Sequence, residues 1–304
     1  MTGGLGRHLA GAASVWLRNA TVWRGTWKTS LVGAVGEPLF YLLGLGYGLG
    51  TVMPAIAGRP YLNYVAPGLM ITSVMYSTTI EATYMTFTKT EHQKVYASMI
   101  LSPLTFADII LGEILWIMTK GLISGGTVLA VLLAAGIAPL WPGLLGVPLI
   151  LLAGFTFASL GMIVTSVARG YDSFNYYFTL VIAPMFFFSG VFFPAERLGP
   201  WVGRLAQVFP LTHLAVVSRG ILGGTTGPPF LLSLGVAALF AAAGFALATT
   251  RMQRRFMPSP RGACPPRRRC PPRICLRRTT RTPRHLRRRA PCRDETSRPR
   301  LCLV

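Results

Sequence analysis

Four ionisable side chains lie inside apolar stretches of this 304-residue chain and are the first candidates for chemistry: Glu37, Glu81, Glu113 and Lys120. A charge at membrane depth costs several kcal/mol unless it is paired or faces a wet cavity. Glu113 and Lys120 are two helical turns apart, so they share a helix face and could be bridged through a partner helix. The set predicts either a substrate path or gate, or structural pairing. Glu37 has the weakest claim because it precedes Pro38 and lies near an interface.

Residue patterns typical of metal-binding, catalytic or nucleotide-binding sites are the second class of candidates. Neither a His, Cys, Asp and Glu grouping at metal-ligand spacing nor a Gly-x-x-x-x-Gly-Lys-Ser/Thr loop is present in the sequence. The sequence therefore predicts no metal site, no catalytic residue and no cofactor in this chain, and a pump would take its energy from another chain. One rival is an intramembrane transferase acting on lipid-linked sugars or acyl chains, with His92 beside Asp108 or Glu113 as the acid/base pair.

The elements that must position these residues are membrane helices. The chain is 52% hydrophobic and 13% charged, which is typical of a polytopic membrane protein. Each span needs about 20 residues. The apolar runs predict six transmembrane helices at residues 30–50, 63–86, 107–135, 144–168, 174–194 and 228–249.

The distribution of cations orients these spans. Cytoplasmic loops carry an excess of Lys and Arg, so the more basic face is the inner one. Because six spans return the chain to its starting side, both termini are predicted to be cytoplasmic, in a bacterial inner membrane. Ten cations fall on one face and four on the other. The ten are Arg7, Arg18, Arg24, Lys28, Lys89, Lys94, Arg169, Arg251, Arg254 and Arg255, and the four are Arg59, Arg197, Arg204 and Arg219.

The C-terminal tail, residues 256–304, differs from the rest of the chain. The net charge is +21, and 18 of the 30 Lys and Arg residues lie in positions 251–304, which also hold all five cysteines. The Pro and Arg density predicts disorder. Three interpretations stay open: a cytosolic arm touching anionic lipid or RNA, an inert tail, or an out-of-frame translation of G/C-rich DNA. No nucleic-acid partner is expected for the protein as a whole.

Residues 1–28 predict a cytoplasmic N-terminal helix that is amphipathic. At 100° per residue its apolar side chains share one face: Leu5, Leu9, Ala12, Trp16, Ala20, Trp23 and Trp27. Tryptophan and cations suit the headgroup layer of a membrane, so an interfacial helix in contact with lipid is predicted. The alternative is a helix packed on the bundle.

Two segments between the spans carry further candidates. Residues 88–114 form a charged loop with a helix-like run from 91 to 99, closed by Ser102 and Pro103, which predicts either a docking element or an ordinary charged loop. Residues 186–220 form an apolar run broken by prolines, which predicts a re-entrant segment on the outer side, between spans five and six. The phenylalanines at 186–188, 192 and 193 suit an amphiphilic substrate, or are lipid-facing or packed side chains.

Taken together, several stretches resemble the permease subunits of the type-2 ABC exporter family, closest to the nodulation-type lipo-oligosaccharide exporter permeases. The matching stretches are residues 36–50, 61–70, 91–121 and the proline-broken segment, within a resemblance that spans roughly residues 15–250. The family pattern implies a transmembrane domain at 29–255, a homodimer, and a separate ABC-type ATPase that binds ATP and Mg. It implies an ATPase-coupling helix carrying Glu91, Lys94, Tyr96, Ser102 and Pro103, and a re-entrant gate carrying Gly190, Pro194, Pro200, Trp201, Pro210 and Arg219.

The resulting prediction is an all-α permease with six transmembrane helices, an N-terminal interfacial helix and a re-entrant extracellular segment. It would export an amphiphilic or lipid-linked molecule, either a lipo-oligosaccharide or a hydrophobic drug. The transferase and a non-transporting membrane subunit that anchors a partner are the alternatives.

Overall fold

The computed structural model describes residues 3–44, 48, 60–193, 199–224 and 227–256. All of them belong to one compact unit, Met1–Ser259. Every regular element in these ranges is helical, and no strand occurs among them. The all-α prediction is confirmed for this part of the chain. The predicted tail lies outside the described residues from position 257 onward.

The described ranges contain twelve α-helices and three π-helical turns. The α-helices are α1 (Gly3–Trp23), α2 (Trp27–Leu43), α3 (Tyr61–Ile80), α4 (Val95–Ile100), α5 (Phe106–Ala134), α6 (Leu140–Leu144), α7 (Gly146–Val167), α8 (Asp172–Tyr177), α9 (Ala183–Phe188), α10 (Pro200–Ala206), α11 (Pro210–Gly223) and α12 (Pro228–Phe256). The π-helical turns are Glu81–Met85, Thr88–His92 and Phe178–Ile182.

Three described helical segments are long and apolar enough to cross a membrane: Phe106–Ala134, Leu140–Val167 and Pro228–Arg255. They coincide with the predicted spans at 107–135, 144–168 and 228–249. The predicted spans at 63–86 and 174–194 are also largely helical, and the one at 30–50 is described as helix to residue 43. The number of crossings stays a prediction for those three.

Helix α1 is shorter than predicted and uses a different face. It ends at Trp23, and Trp27 starts α2, because the chain turns at Gly25, a residue that disfavours helix interiors. Its buried seam is formed by small and polar residues at helical spacing, Gly11, Ala12, Val15 and Asn19, whereas Leu9 of the predicted apolar face is 54% exposed. The seam packs on α5, as in the alternative interpretation of this helix.

Close contact between α1 and α5 explains this choice of seam. A Cβ on Gly112 would lie 2.6 Å from the Ala12 carbonyl oxygen, so only a glycine allows the backbones to approach this far. On the opposite side of α5, a Cβ on Gly121 would lie 2.6 Å from Cγ2 of Thr78 in α3. Helix α5 is therefore packed between α1 and α3 through its glycines.

The chain is continuously helical from Tyr61 to His92, because α3 runs on through two π-helical turns. In the first turn the Thr86 hydroxyl donates to the Glu81 carbonyl, five residues back, at 3.0 Å. π-helical turns are rare and occur frequently at functional sites. The second predicted span, residues 63–86, and the start of the predicted docking loop, residues 88–114, therefore belong to one continuous helix.

Candidate functional site

A buried charge cluster lies where the extension of α3 meets α5, and Lys89 is its centre. Its ammonium lies 3.0 Å from Oε2 of Glu113 and 3.6 Å from Oε1 of Glu81. The Glu113 side chain is fully buried, and Lys89 and Glu81 are each 15% exposed. Asn19 of α1 donates to the second oxygen of Glu113 at 3.1 Å. Both carboxylates are thus compensated, as charges out of water must be.

The sequence predicted that Glu113 and Lys120 could be bridged through a partner helix. Lys89, on the extension of α3, does contact Glu113, and no ion pair among the described residues joins Lys120 to Glu113. The Lys120 ammonium instead lies over the ring faces of Trp23, at 4.9 Å, and Trp116, at 5.5 Å. Of the four predicted intramembrane charges, Glu81, Glu113 and Lys120 fall in one region of the protein. Glu37 belongs to α2, and its side chain is outside the described residues.

Two members of the cluster were missed by sequence reasoning. Lys89 was counted among the loop cations that orient the topology, and Asn19 carried no signal at all. The sequence offered one hint, since no glycine or proline lies between Glu81 and Lys89 to break a helix that carries both. The π-helical turns that bring Lys89 under Glu113 leave no recognisable pattern in the sequence.

Residues 88–105, within the predicted loop 88–114, contain all the predicted coupling residues and are called the coupling segment below; Lys94 divides this segment. This residue has a left-handed backbone with φ of 50° and is the N-cap of α4. The predicted helical run from 91 to 99 is therefore wrong in its bounds, because Lys94 separates the π-helical turn Thr88–His92 from α4, Val95–Ile100. Lys94 and Pro103 are exposed, and Ser102 donates to the Met99 carbonyl. Leu101 has the highest exposure among the large apolar side chains described, 91%.

Tyr96 points inward from the same segment and is buried. Burial raises the pKa of its phenol well above the usual value, and the negative charge of Glu113 raises this pKa further. Tyr96 therefore stays neutral and uncharged at physiological pH. It anchors α4 to the bundle instead of contributing to the exposed surface.

The end of α12 is tied to the start of the coupling segment by Arg255. Its guanidinium donates to the carbonyls of Thr165, at 2.6 Å, and Ala168, at 2.7 Å, which cap the end of α7. It also donates to Oε1 of Glu91 at 2.7 Å. The bond to Glu91 is also an ion pair. Through these three bonds α7, α12 and the coupling segment meet at the Arg255 side chain.

The pair that a transferase would need is not assembled. Asp108 accepts a hydrogen bond from the Thr105 amide as part of a capping box at the start of α5, and its other oxygen lies 2.6 Å from Nδ1 of His8. His92 stacks on Tyr171, with ring centroids 5.6 Å apart and planes 7° from parallel. Each candidate acid/base group is thus held by a different partner.

The predicted gate segment is organised by Arg219 of α11. Its guanidinium donates to the carbonyls of Tyr64 at 3.1 Å, Gly190 at 2.6 Å and Val191 at 3.1 Å, and it lies 4.0 Å from the centre of the Tyr64 ring. Gly190 has φ of 76°, a conformation that favours glycine. Arg219 thereby fastens the turn after α9 to α3. This contact could not be read from the sequence, which gave Arg219 as an outer cation and as a member of the predicted gate.

The prolines of that segment begin helices. Pro200 and Pro210 occupy the first positions of α10 and α11, where the missing amide proton costs nothing. Trp201 is 79% exposed beside them. Pro194 lies outside the described residues. The described part consists of two consecutive helices, α10 and α11, and its position relative to a membrane stays a prediction.

A cavity of about 280 Å³ lies between α2, α3, α5 and α9. Glu81 and Lys120 line it, as do the rings of Tyr41, Tyr76 and Phe186. The Phe186 ring contacts Tyr76 edge-on at 5.6 Å and Tyr41 at 6.3 Å. The cavity thus joins the charged region of α3 and α5 to an aromatic wall.

The amino-acid sequence of this chain matches a family of transporters and several individual relatives. The family model described as ABC-2 type transporter matches residues 12–222. Nodulation protein J of Sinorhizobium fredii is 37% identical over 80% of this chain and 93% of its own length. Nodulation protein J of Rhizobium meliloti is 36% identical over 81% of this chain and 94% of its own length.

A more distant relative extends the same comparison beyond the nodulation proteins. The inner membrane transport permease YadH of Escherichia coli is 22% identical over 79% of this chain and 94% of its own length. The family match covers α1 through most of α11, and so includes the charge cluster, the coupling segment and Arg219. This chain belongs to the ABC-2 type transporter family and is a membrane component of a transporter.

Proposed function

We propose that this chain is the permease subunit of an ATP-driven exporter that moves an amphiphilic or lipid-linked molecule, such as a lipo-oligosaccharide or a hydrophobic drug, out across the bacterial inner membrane. Permeases of the family normally pair with an ATPase subunit. In this proposal ATP and Mg are bound by that separate chain, and two copies of the permease assemble with it. Both termini of the permease face the cytoplasm.

The exposed surface of the coupling segment carries the proposal. Leu101 is 91% exposed at the end of α4, between the exposed residues Lys94 and Pro103. Ile100, 38% exposed, extends the apolar surface beside Leu101, and an exposed apolar patch rimmed by polar residues is typical of a contact with another protein. We assign this patch to the ATPase.

The structure beneath the patch suits the transmission of force. Tyr96 inserts into the bundle from α4, and the preceding π-helical turn carries Lys89 to its ion pair with Glu113. The turn also carries Glu91 to Arg255 at the end of α12. A displacement of the patch by the ATPase would therefore reach α3, α5 and α12 together. ATP binding would bias the permease between inward-open and outward-open states only through such differential contacts.

The partner copy is placed on α2 in this proposal. Val32 and Phe40 are 73% and 77% exposed on this helix, and at membrane depth such side chains are covered by lipid or by another helix. Gly33, which is exposed, and Gly36, which is partly exposed, lie on the same helix, and a Cβ on either would meet no atom within 4 Å. They leave room for close approach of a second helix.

Co-purification with an ABC-type ATPase from the same organism tests the proposal. Leu101→Asp and Lys94→Glu are expected to weaken ATPase binding at least about tenfold, as truncation of a central interface residue does. Leu17→Asp is the matched control, since this leucine is 60% exposed in α1, outside the predicted spans and the coupling segment. ATP-driven uptake of labelled lipo-oligosaccharide or drug into inverted vesicles is then measured. Equal ATPase binding and ATP hydrolysis in all variants would contradict the assigned surface.

A further inference from the structure

The cavity between α2, α3, α5 and α9 has a polar wall that offers hydrogen-bond acceptors. Three of its hydroxyl groups donate their protons to backbone carbonyls: Thr72 donates to Gly68 at 2.9 Å, and Ser73 donates to Met70 at 2.8 Å. Ser124, on the facing helix, donates to the carbonyl of Ser73 at 3.3 Å. Because each hydroxyl proton is already used, the oxygens offer lone pairs to the cavity. The wall is thus a row of hydrogen-bond acceptors.

One end of this row carries a donor. The Lys120 ammonium has three N–H groups, and its contacts among the described residues are the faces of two tryptophan rings. No hydrogen bond joins this ammonium to another described residue, although it lines the cavity. The contacts of the Glu81 carboxylate with Trp116 and Lys89 are both made by Oε1. Its second oxygen is one more acceptor beside the ammonium.

The charges at this end exclude the simplest ligands. A phosphate attracted by Lys120 would be repelled by Glu81, which lies on the same wall. A quaternary ammonium attracted by Glu81 would be repelled by Lys120 and Lys89. A neutral head with many hydroxyl groups meets neither penalty, since hydroxyls both donate to the acceptor row and accept from the ammonium. Its C–H faces would also pack on the rings of Tyr76 and Phe186.

We propose that this cavity binds the neutral, polyhydroxylated head of a glycolipid, with Lys120 as the donor that fixes the sugar and the Thr72, Ser73 and Ser124 oxygens as its acceptors. The inference rests on the proposed function, because it names the part of the exported amphiphile that the permease recognises. The alkyl chain leaves the cavity past Tyr41, which is 42% exposed at its rim.

Binding to the full-length chain in phosphatidylcholine nanodiscs, without an ATPase, tests the site. Three radiolabelled probes share a dodecyl chain and differ in the head: dodecyl glucoside, dodecyl phosphate and dodecyltrimethylammonium. Empty nanodiscs correct for partitioning into lipid. Saturable binding is expected for the glucoside alone. Equal binding of all three probes, tightest binding of another head, or no saturable binding would overturn the proposal.

Variants locate the binding in this cavity. Lys120→Met is expected to weaken glucoside binding about tenfold and Ser124→Ala about threefold, from the loss of a charged and a neutral hydrogen bond. Lys28→Met is the matched control, because Lys28 also lies over a tryptophan ring, Trp27, at 5.9 Å, but outside the cavity. If Lys120→Met fails to fold, Ser124→Ala alone decides. Binding unchanged in both cavity variants would refute the site.

Transport separates this inference from the proposed function. Proteoliposomes containing the permease and its ATPase are assayed for ATP-driven movement of the labelled glucoside lipid. Glucoside binding that depends on Lys120 without ATP-driven transport would overturn the proposed function and keep the site. Transport together with binding that ignores Lys120 and Ser124 would overturn the site and keep the function.

Discussion

Replacement of Lys89 by methionine tests whether the buried charge cluster holds the coupling segment in place. The variant leaves the fully buried Glu113 carboxylate with Asn19 as its remaining partner, and removes the cation 3.6 Å from Glu81. Removing one partner of a buried ion pair costs about 3–5 kcal/mol in free energy of unfolding, because a charge is left uncompensated. At an unfolding entropy of about 2.1 cal/mol/K per residue, 3 kcal/mol corresponds to a fall of about 5 °C in Tm for a chain of this length.

Tryptophan fluorescence during heating of the purified protein gives the measurement, since Trp116 donates a hydrogen bond to Glu81 within the cluster. The exposed Lys28→Met variant is the control and is expected to unfold within about 0.5 kcal/mol of the parent protein. Lys89→Met combined with Glu113→Gln is expected to recover most of the loss, because the pair is then absent instead of broken. A Lys89→Met Tm equal to that of the control, or no recovery in the double variant, would refute the reasoning.

Three further predictions address other contacts. Gly112→Ala is expected to lower the free energy of unfolding by about 1–3 kcal/mol, because its Cβ would lie 2.6 Å from the Ala12 carbonyl oxygen. The control is Gly126→Ala in the same helix, whose Cβ meets open space. This variant is expected to be neutral or mildly stabilising in the same fluorescence melt. Arg219→Lys is expected to cost about 1–3 kcal/mol despite keeping the charge, because an ammonium cannot reproduce three guanidinium bonds to carbonyl oxygens; a Tm equal to that of the parent would argue against this. Truncation after Arg255 is expected to leave membrane insertion and ATPase co-purification intact, as measured by membrane fractionation and pull-down, whereas loss of insertion would show that the tail belongs to the working protein.

The sequence was informative wherever composition and length decide the structure. The helical class and the spans at 107–135, 144–168 and 228–249 follow from long apolar runs, which have few structural alternatives. Glu81 and Glu113 were picked out from the sequence as charges at membrane depth, but their proximity and their shared partner Lys89 were not predicted. Periodicity also located α1, although the face it uses was set by the backbone approach at Gly112.

Contacts between side chains that are distant in the sequence could not be predicted from the sequence. The contacts of Lys89 depend on two π-helical turns, and those of Arg219 depend on a glycine turn 29 positions earlier in the chain. Neither geometry has a local sequence signature. His92 and Asp108 are only 16 positions apart in the sequence, yet each is held by a different aromatic or ionic partner. Residue type alone suggested a pair that the packing separates.

The π-helical turn at Glu81–Met85 also constrains how the length of this region can change. A π-helical turn already holds one residue more than an α-helical turn, so loss of one residue there can be absorbed by a return to the α-helical repeat. Inserting one further residue, which no wider turn absorbs, would turn Lys89 by about 100° around the axis and carry it about 1.5 Å further along. The ammonium would then face away from Glu113, although every residue type in the cluster was kept. Substitutions are therefore tolerated between Glu81 and Lys89 far more readily than the gain of a single codon. Among relatives, the spacing between these two positions should be preserved more strictly than the residues that fill it.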